Sequence, residues 1–384
     1  MPVITCIEDL RELAQRKVPR AFFDYADRGS YTEQTLRANR ADFEKILLRQ
    51  RVMVDVSARD TSTTVIGQKI SMPFALAPVG LLGMQHGDGE ILAAKAALAA
   101  GIPFTLSTMS IGSIEDVAEA TGKPFWFQLY VIRDREFIKD LLARARAANC
   151  NALVLTVDLQ VLGQRHRDIK NGMTVPLQIK LSNVIDTAMK PRWLASMARA
   201  RRKTFGNLAG HVKGMESVNS LAEWTNSQFD PALNWKDVEW IKSQWPGKLI
   251  IKGILDVEDA RIARDVGADG IVVSNHGGRQ LDGAPSSISA LPKVADAVGS
   301  QVDILFDGGI RTGSDLVRAL ALGAKCCLIG RPYVWGLGAM GGAGVAKAIE
   351  CLHKELVTTM ALTGTRSVSE IGPQVLADWP RNTL

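Results

Sequence analysis

Short apolar runs alternate with amphipathic runs along most of this chain. Residues 74–78 lead to 90–100, an alanine-rich stretch closed by Gly101, and 103–107 lead to 113–120, closed by Gly122. Residues 125–130 precede 134–148. The run 152–158 reaches its amphipathic partner, 235–245, only after a long irregular stretch. The rhythm is cleaner afterwards: 249–252 with 256–266, 270–276 with 287–298, 303–307 with 314–322, and 326–330 with 344–362. Eight strand-helix pairs is the number at which a parallel sheet closes, so the pattern predicts a (β/α)8 TIM barrel. An open doubly wound sheet is the alternative. We expect a single domain over 1–384, with a helical N-terminal segment, a barrel at about 73–365 and an insertion at about 159–231 after strand four.

Composition supports this architecture. The 384 residues are 46% hydrophobic but only 6% aromatic, with 34 glycines. Such a core relies on aliphatic side chains and close backbone packing, as buried parallel strands do. The five cysteines, Cys6, Cys150, Cys326, Cys327 and Cys351, form no C-x-x-C pair and read as reduced thiols, with no metal site. Cys326 and Cys327 are neighbours on a strand and should face opposite ways. The N-terminus lacks the apolar stretch of a signal peptide, and no run approaches the roughly 18 apolar residues of a spanning helix. A cytoplasmic location is the expectation.

Barrel enzymes gather their chemistry at the C-terminal ends of the strands. Here those ends carry Ala77, Pro78, Val79 and Gly80; Ser107; Gln128 and Tyr130; Thr156 and Asp158; Lys252; Ser274, His276 and Arg279; Asp307, Gly309 and Arg311; and Gly330 with Arg331. Strand interiors are almost purely apolar. The glycines and arginines after strands seven and eight suit a phosphate, which takes backbone N–H groups and forked guanidinium bonds. His276, before a Gly-Gly turn and three residues from Arg279, suits a general base beside a carboxylate clamp. Asp158 closes a buried strand, where an unpaired carboxylate is costly, and pairing with His276 would orient the ring. Lys252 ends an apolar strand and needs an anionic or electron-rich partner; a structural Lys–Asp pair is the plainer reading.

With these residues in view, the chain closely resembles the FMN-dependent L-2-hydroxy acid oxidising family, which includes glycolate and lactate oxidases, flavocytochrome-type and respiratory L-lactate dehydrogenases, and mandelate dehydrogenase. The resemblance runs from Phe-Phe-Asp-Tyr-Ala at 22–26 almost to the end of the last helix. Ser-Asn-His-Gly-Gly-Arg-Gln-Leu-Asp at 274–282 is its most specific motif, and the runs at 105–110 and 251–260 look most like the respiratory lactate enzymes. It implies His276 as catalytic base held by Asp158, and Tyr25, Arg165 and Arg279 as the grip on the substrate carboxylate. Tyr130 would bond the substrate hydroxyl, and Lys252 would stabilise negative charge on the reduced flavin. It also implies an FMN lined by Ala77, Pro78, Val79, Ser107, Gln128, Thr156 and Ser274, with Asp307, Gly309, Arg311, Gly330 and Arg331 near its ribityl phosphate. Two positions depart from the common pattern: Leu159-Gln160 follows Asp158 where Thr-Pro is usual, and Gly80 stands where many oxidases carry Ala.

Charge adds one more expectation. The net +6 is local, because residues 187–213 hold seven basic side chains and no acidic one: Lys190, Arg192, Arg199, Arg201, Arg202, Lys203 and Lys213. Val184, Ile185, Met189, Trp193, Leu194 and Met197 lie close by. Apolar groups beside basic ones fit a peripheral anchor on an anionic membrane, with a solvated lid as the alternative and nucleic acid disfavoured. Together with the resemblance, this predicts attachment to the inner face of the cell membrane and oxidation of an L-2-hydroxy acid, foremost L-lactate. Electrons would pass to a quinone or cytochrome, the competing reading being an oxygen-using oxidase. The resemblance further implies a homotetramer.

Overall fold

The computed structural model describes residues 3–174, 178, 180–209 and 227–377. Three helices open the chain: α1 (Ile7–Lys17), α2 (Arg20–Asp27) and α3 (Gln34–Glu44). A hairpin follows, β1 (Thr63–Val65) with β2 (Gln68–Ile70). Then come the eight barrel strands: β3 (Phe74–Leu76), β4 (Thr105–Ser107), β5 (Trp126–Tyr130), β6 (Ala152–Thr156), β7 (Lys248–Ile254), β8 (Gly270–Val273), β9 (Asp303–Asp307) and β10 (Cys326–Ile329). Their order is β3-β10-β9-β8-β7-β6-β5-β4, and a parallel bridge between Leu76 and Phe104 joins the two ends. The sheet is closed, so the barrel stands and the open-sheet alternative falls.

Alternation at period two sorts each strand into two faces. Ala75, Ala77, Trp126, Ala152, Val154, Ile250, Val272, Leu305, Cys326 and Leu328 form one buried cluster, joined by Val65, Ile66 and Ile70 of the hairpin. Phe74, Leu76, Phe127, Leu153, Leu155, Ile251, Ile271, Phe306, Cys327 and Ile329 join the second cluster, together with the surrounding helices. The first set fills the barrel interior and the second binds its outer layer, each large side chain contributing about 1.5–3 kcal/mol through burial. Cys326 and Cys327 divide between the two sets as expected. Two residues beyond the last interior position of β5 to β10 lie Gln128, Thr156, Lys252, Ser274, Asp307 and Gly330. The apolar rule that fills the barrel thus turns polar on the same face at its mouth.

The outer helices include α4 (Gly89–Ala99), α5 (Ile114–Thr121) and α6 (Arg135–Ala147). Three more lie in the stretch read as irregular: α7 (His166–Lys170), α8 (Leu181–Ala188) and α9 (Pro191–Arg199). The return helices are α10 (Trp235–Gln244), α11 (Val257–Asp265), α12 (Ser287–Val298) and α13 (Gly313–Ala321). The segment after β10 is two helices, α14 (Arg331–Met340) and α15 (Gly342–Thr363), broken at Gly341 with φ 63°. The alternation of runs foresaw one helix there and missed α14.

Candidate active site

A cavity of about 530 Å³ opens at the strand ends and reaches from the α2 side to the first turn of α14. Its wall holds Ala77, Pro78, Val79, Tyr25, Tyr130, Thr156, Arg165, Lys252, His276, Arg279, Asp307, Gly309, Arg311, Gly330 and Arg331. Most residues singled out from the sequence therefore meet in one place. Four do not line it. Asp158 stands behind His276, on the wall of a second cavity of about 450 Å³. Ser107 and Gln128 bond to each other at 2.9 Å, a layer back. Ser274 stands behind the wall, where its Oγ accepts from Lys252 Nζ at 2.9 Å and from the His276 backbone N–H at 3.0 Å.

His276 sits in the left-handed region at φ 56°, followed by Gly277 and Gly278 at 64° and 73°. Such a conformation is costly for a histidine and persists only where its surroundings fix it. Asn275 supplies part of the fixing, through paired amide bonds of 2.8 Å to Asn39 on α3 and an acceptor oxygen 3.1 Å from the Gly278 N–H. His276 Nδ1 lies 2.9 Å from Asp158 Oδ1, which defines the tautomer and leaves Nε2 for a ligand. Burial draws the imidazole below its ordinary range, against the opposing pull of Asp158. Burial pushes the Asp158 carboxyl up, but His276 and Lys252 outweigh it and the net shift is downward. The resting pair is a neutral base on an ionised carboxylate. Gly253 makes room for it, since a Cβ there would lie 2.7 Å from Asp158 Cβ and Cγ.

Lys252, 4% exposed, pairs with Asp307 at 3.0 Å, so the plainer ion-pair reading and the place in the cavity wall both hold. Burial alone would lower its ammonium, but Asp307 and Asp158 raise it. Tyr130 is driven upward by burial, and so remains a neutral phenol. Arg279 and Arg165 lie 4.8 and 5.1 Å from the centre of the Tyr25 ring. Arg165 also pairs with Asp168 at 3.0 Å, whereas Arg279 binds only the carbonyls of Tyr25 and Arg28 among the described residues. Asp168 was not foreseen. Neither was Gln280, whose Nε2 donates to the Asp158 carbonyl at 2.6 Å and to Val161 at 3.0 Å; it lay within the most specific motif.

At the far end, Arg311 is aimed by a capping box: Asp315 Oδ2 accepts from the Arg311 and Thr312 N–H groups at 2.9 and 3.0 Å. Arg331 opens α14 and donates to the carbonyls of Asp27, Gly277 and Arg28 at 3.1, 2.9 and 3.1 Å. Neither guanidinium meets a carboxylate within ion-pair distance among the described residues. Burial and their mutual repulsion push Arg311 down to about 9, while burial and Arg279 push Arg331 down to about 10. Arginine is not deprotonated in proteins, so these shifts express unmet demand for an anion. Gly308 and Gly309 turn at φ 106° and 98°; a Cβ on Gly309 would collide with the Asn39 carbonyl, so packing on α3 requires this glycine too. Asp307 Oδ1 and Gln128 Nε2 are buried without a hydrogen-bond partner among the described residues. A phosphate for the arginines and polar groups for these two atoms are what FMN carries, so the site fits that cofactor.

The insertion departs from its expected role in part. Trp193 turns inward, stacking on Phe22 at 5.4 Å and donating to the Met84 carbonyl at 2.9 Å. Arg201 pairs with Glu119 at 2.6 Å, and Arg202 binds Asp116 in a fork. Both are thereby removed from the free basic patch. Leu181, Val184, Ile185, Met189 and Leu194 are exposed, and Arg192, Arg199 and Lys203 have no carboxylate partner among the described residues. Lys213 lies outside the described residues. No described helix is long and apolar enough to cross a membrane.

Comparison with known proteins agrees with this geometry. The model of the family described as FMN-dependent dehydrogenase matches residues 14–378. An L-lactate dehydrogenase of Caulobacter sp. (strain K31) is 48% identical over 380 residues, which is 99% of this chain and 100% of that protein. An L-lactate dehydrogenase of Haemophilus influenzae (strain PittEE) is 48% identical, covering 98% of this chain and 99% of that one. A crystal structure of the monotopic membrane protein (S)-mandelate dehydrogenase superposes with a TM-score of 0.93 at 37% identity, over 98% of this chain and 100% of that chain. Mandelate oxidase superposes with a TM-score of 0.80 at 37% identity, over 98% of both.

Proposed function

Since the chain belongs to the FMN-dependent dehydrogenase family, we propose that it oxidises L-lactate to pyruvate and delivers the electrons to a membrane quinone. The observation that carries the chemistry is the 2.9 Å contact between His276 Nδ1 and Asp158 Oδ1, beside a half-buried Arg279 that has no carboxylate within ion-pair distance among the described residues. Bound FMN supplies the two-electron acceptor. Arg279, with Arg165 and Tyr25, takes the substrate carboxylate and fixes the substrate's orientation. Tyr130, a neutral donor, bonds the substrate oxygen. His276 Nε2 receives the proton, and Asp158 stabilises the imidazolium that results. The same base serves whether the proton comes from the hydroxyl or from C2. Lys252 would stabilise negative charge on the flavin, and Arg311 and Arg331, with Asp307 nearby, would hold the ribityl phosphate.

The test is the visible spectrum of the purified chain under anaerobic addition of L-lactate and then of D-lactate. Bleaching of a flavin spectrum by the L-isomer alone is expected. No bleaching with L-lactate, but bleaching with (S)-mandelate, would move the substrate to the larger acid. Re-oxidation by a soluble quinone analogue without peroxide is expected, and fast peroxide formation in air would favour an oxidase.

A membrane acceptor requires a docking face. The exposed apolar residues of α8 and α9, next to Arg192 and Arg199, suit insertion into the headgroup region on the inner face. The neighbouring (S)-mandelate dehydrogenase being monotopic supports this assignment. Sedimentation with vesicles of anionic lipid checks it: loss of binding is expected for Ile185→Ser with Met189→Ser, and unchanged binding would reject it. The family resemblance also favours a tetramer, which light scattering of the detergent-free protein measures.

A further inference from the structure

Behind the two phosphate-end arginines lies an ion pair that the reaction does not use. Arg11 on α1 holds the Asp27 carboxylate in a fork, Nε to Oδ1 at 2.7 Å and Nη2 to Oδ2 at 3.0 Å. The Asp27 side chain is 4% exposed, and Arg28 Nε approaches it only to 3.9 Å. The backbone carbonyl of this same aspartate accepts from Arg331 Nε at 3.1 Å. Trp335 of α14 ties the groups together: the Arg311 guanidinium lies 4.6 Å from its ring centre and that of Arg11 lies 5.5 Å away. Two cations short of an anion and one buried carboxylate therefore share a small volume, and the Arg11 fork, with Arg28 at the longer 3.9 Å, assigns the carboxylate elsewhere.

We infer that Arg11 is a positioning residue for the cofactor phosphate: it sequesters the Asp27 carboxylate, so that Arg311 and Arg331 stay uncompensated until the phosphate arrives. The physical reason is competition. A buried carboxylate that loses its forked partner must find another cation, because leaving it unpaired is the costlier state. Arg331, already bonded to the same residue's carbonyl, is at hand. An internal counter-ion there would oppose phosphate binding and would not affect the flavin ring. The electrostatic influence of Asp27 on both arginines is consistent with that proximity. The inference rests on reading Arg311 and Arg331 as the phosphate holders.

The experiment compares FMN with riboflavin, which lacks the phosphate, by fluorescence titration of the full chain stripped of flavin. The wild-type chain should bind FMN far more tightly. Arg11→Ala should weaken FMN by about tenfold and leave riboflavin unchanged, a size suited to one partly buried charge contact. Adding Asp27→Asn to Arg11→Ala should restore FMN affinity, since the competing anion is gone. An equal loss for both flavins, an unaltered FMN affinity in Arg11→Ala, or no restoration in the double variant would overturn the inference. Should Arg11→Ala fail to fold, Arg11→Gln, which keeps an amide donor but no charge, decides in the same way: a loss confined to FMN supports the inference, and an equal loss for both flavins or no loss rejects it. Equal affinity of the wild-type chain for the two flavins would instead remove the phosphate reading, and this inference with it.

Discussion

At the His276 end of the cavity, titratable groups meet partners from the chain itself: Asp158 with the neutral His276 at 2.9 Å, Lys252 with Asp307 and Arg165 with Asp168 at 3.0 Å. At the Arg311 end, two half-buried guanidiniums find only backbone carbonyls as hydrogen-bond partners among the described residues. Arg279 alone among the catalytic groups shares that condition. The contrast separates two kinds of function. Groups that move protons need their charge states set in advance, and a partner sets them. Groups that bind an anion gain most when nothing else satisfies them, and the ligand then completes the site. Burying unpaired cations costs stability that cofactor binding returns.

The strongest way to break this comparison is to remove the base. His276→Gln should lower kcat by about 10²–10⁴-fold, the range for loss of a general base, while FMN affinity stays at the wild-type level. A parallel loss of FMN would mean that the two ends are not separate. The pH dependence follows from the direction of the shift. His276 must be neutral to accept a proton, and burial lowers its pKa. Thus kcat/KM should rise with pH through a midpoint below the ordinary 6.5 and stay level above it. A midpoint above 6.5 would mean that Asp158 outweighs burial.

Next in size is the other end. Arg311→Met keeps much of the apolar volume against Trp335 but removes a charge. FMN affinity should fall by about 10²-fold, as for loss of a charge-assisted contact to phosphate, and added FMN should recover kcat. Stability of the stripped chain should hold or rise, because a half-buried cation without a carboxylate partner has gone. A drop in the melting temperature of the stripped chain would show that Arg311 is structural.

Much of this was legible in the chain, for a physical reason. Period-two alternation fixes which strand residues face the barrel interior, so the same count that gives Val154 and Ile250 to the core gives Thr156 and Lys252 to the mouth. The His276–Asp158 pairing followed from the cost of a buried lone carboxylate. What stayed hidden depends on contacts across the fold. The bonds of Ser274 to Lys252 and His276 are set by neighbouring strand ends, and Asp168 announces itself only once α7 brings it beside Arg165. Trp193 next to basic residues matches an interfacial anchor, but Phe22, about 170 positions earlier, claims its ring. The break at Gly341 that separates α14 from α15 has no signature in the alternation of runs.

The smallest expected effect lies at Gly80, in the cavity wall near the substrate groups. Its backbone is not left-handed, and a Cβ there would meet Met109 Cβ and carbonyl oxygen at 3.4 Å and Tyr25 Oη at 3.5 Å. These are ordinary van der Waals contacts, so Gly80→Ala should fold normally, with a stability change within about 1 kcal/mol, favourable if anything through the unfolded chain. The methyl group would take space beside Tyr25, which reads the substrate carboxylate, and would remain remote from the phosphate arginines. The prediction is a few-fold loss of kcat/KM for a bulky acid such as (S)-mandelate, a smaller loss for L-lactate, and no change in FMN affinity. Steady-state kinetics on both acids with a flavin titration measure all three quantities. A change in FMN affinity at constant substrate preference would assign Gly80 to the cofactor, and the boundary between the two ends would then run on the substrate side of Tyr25.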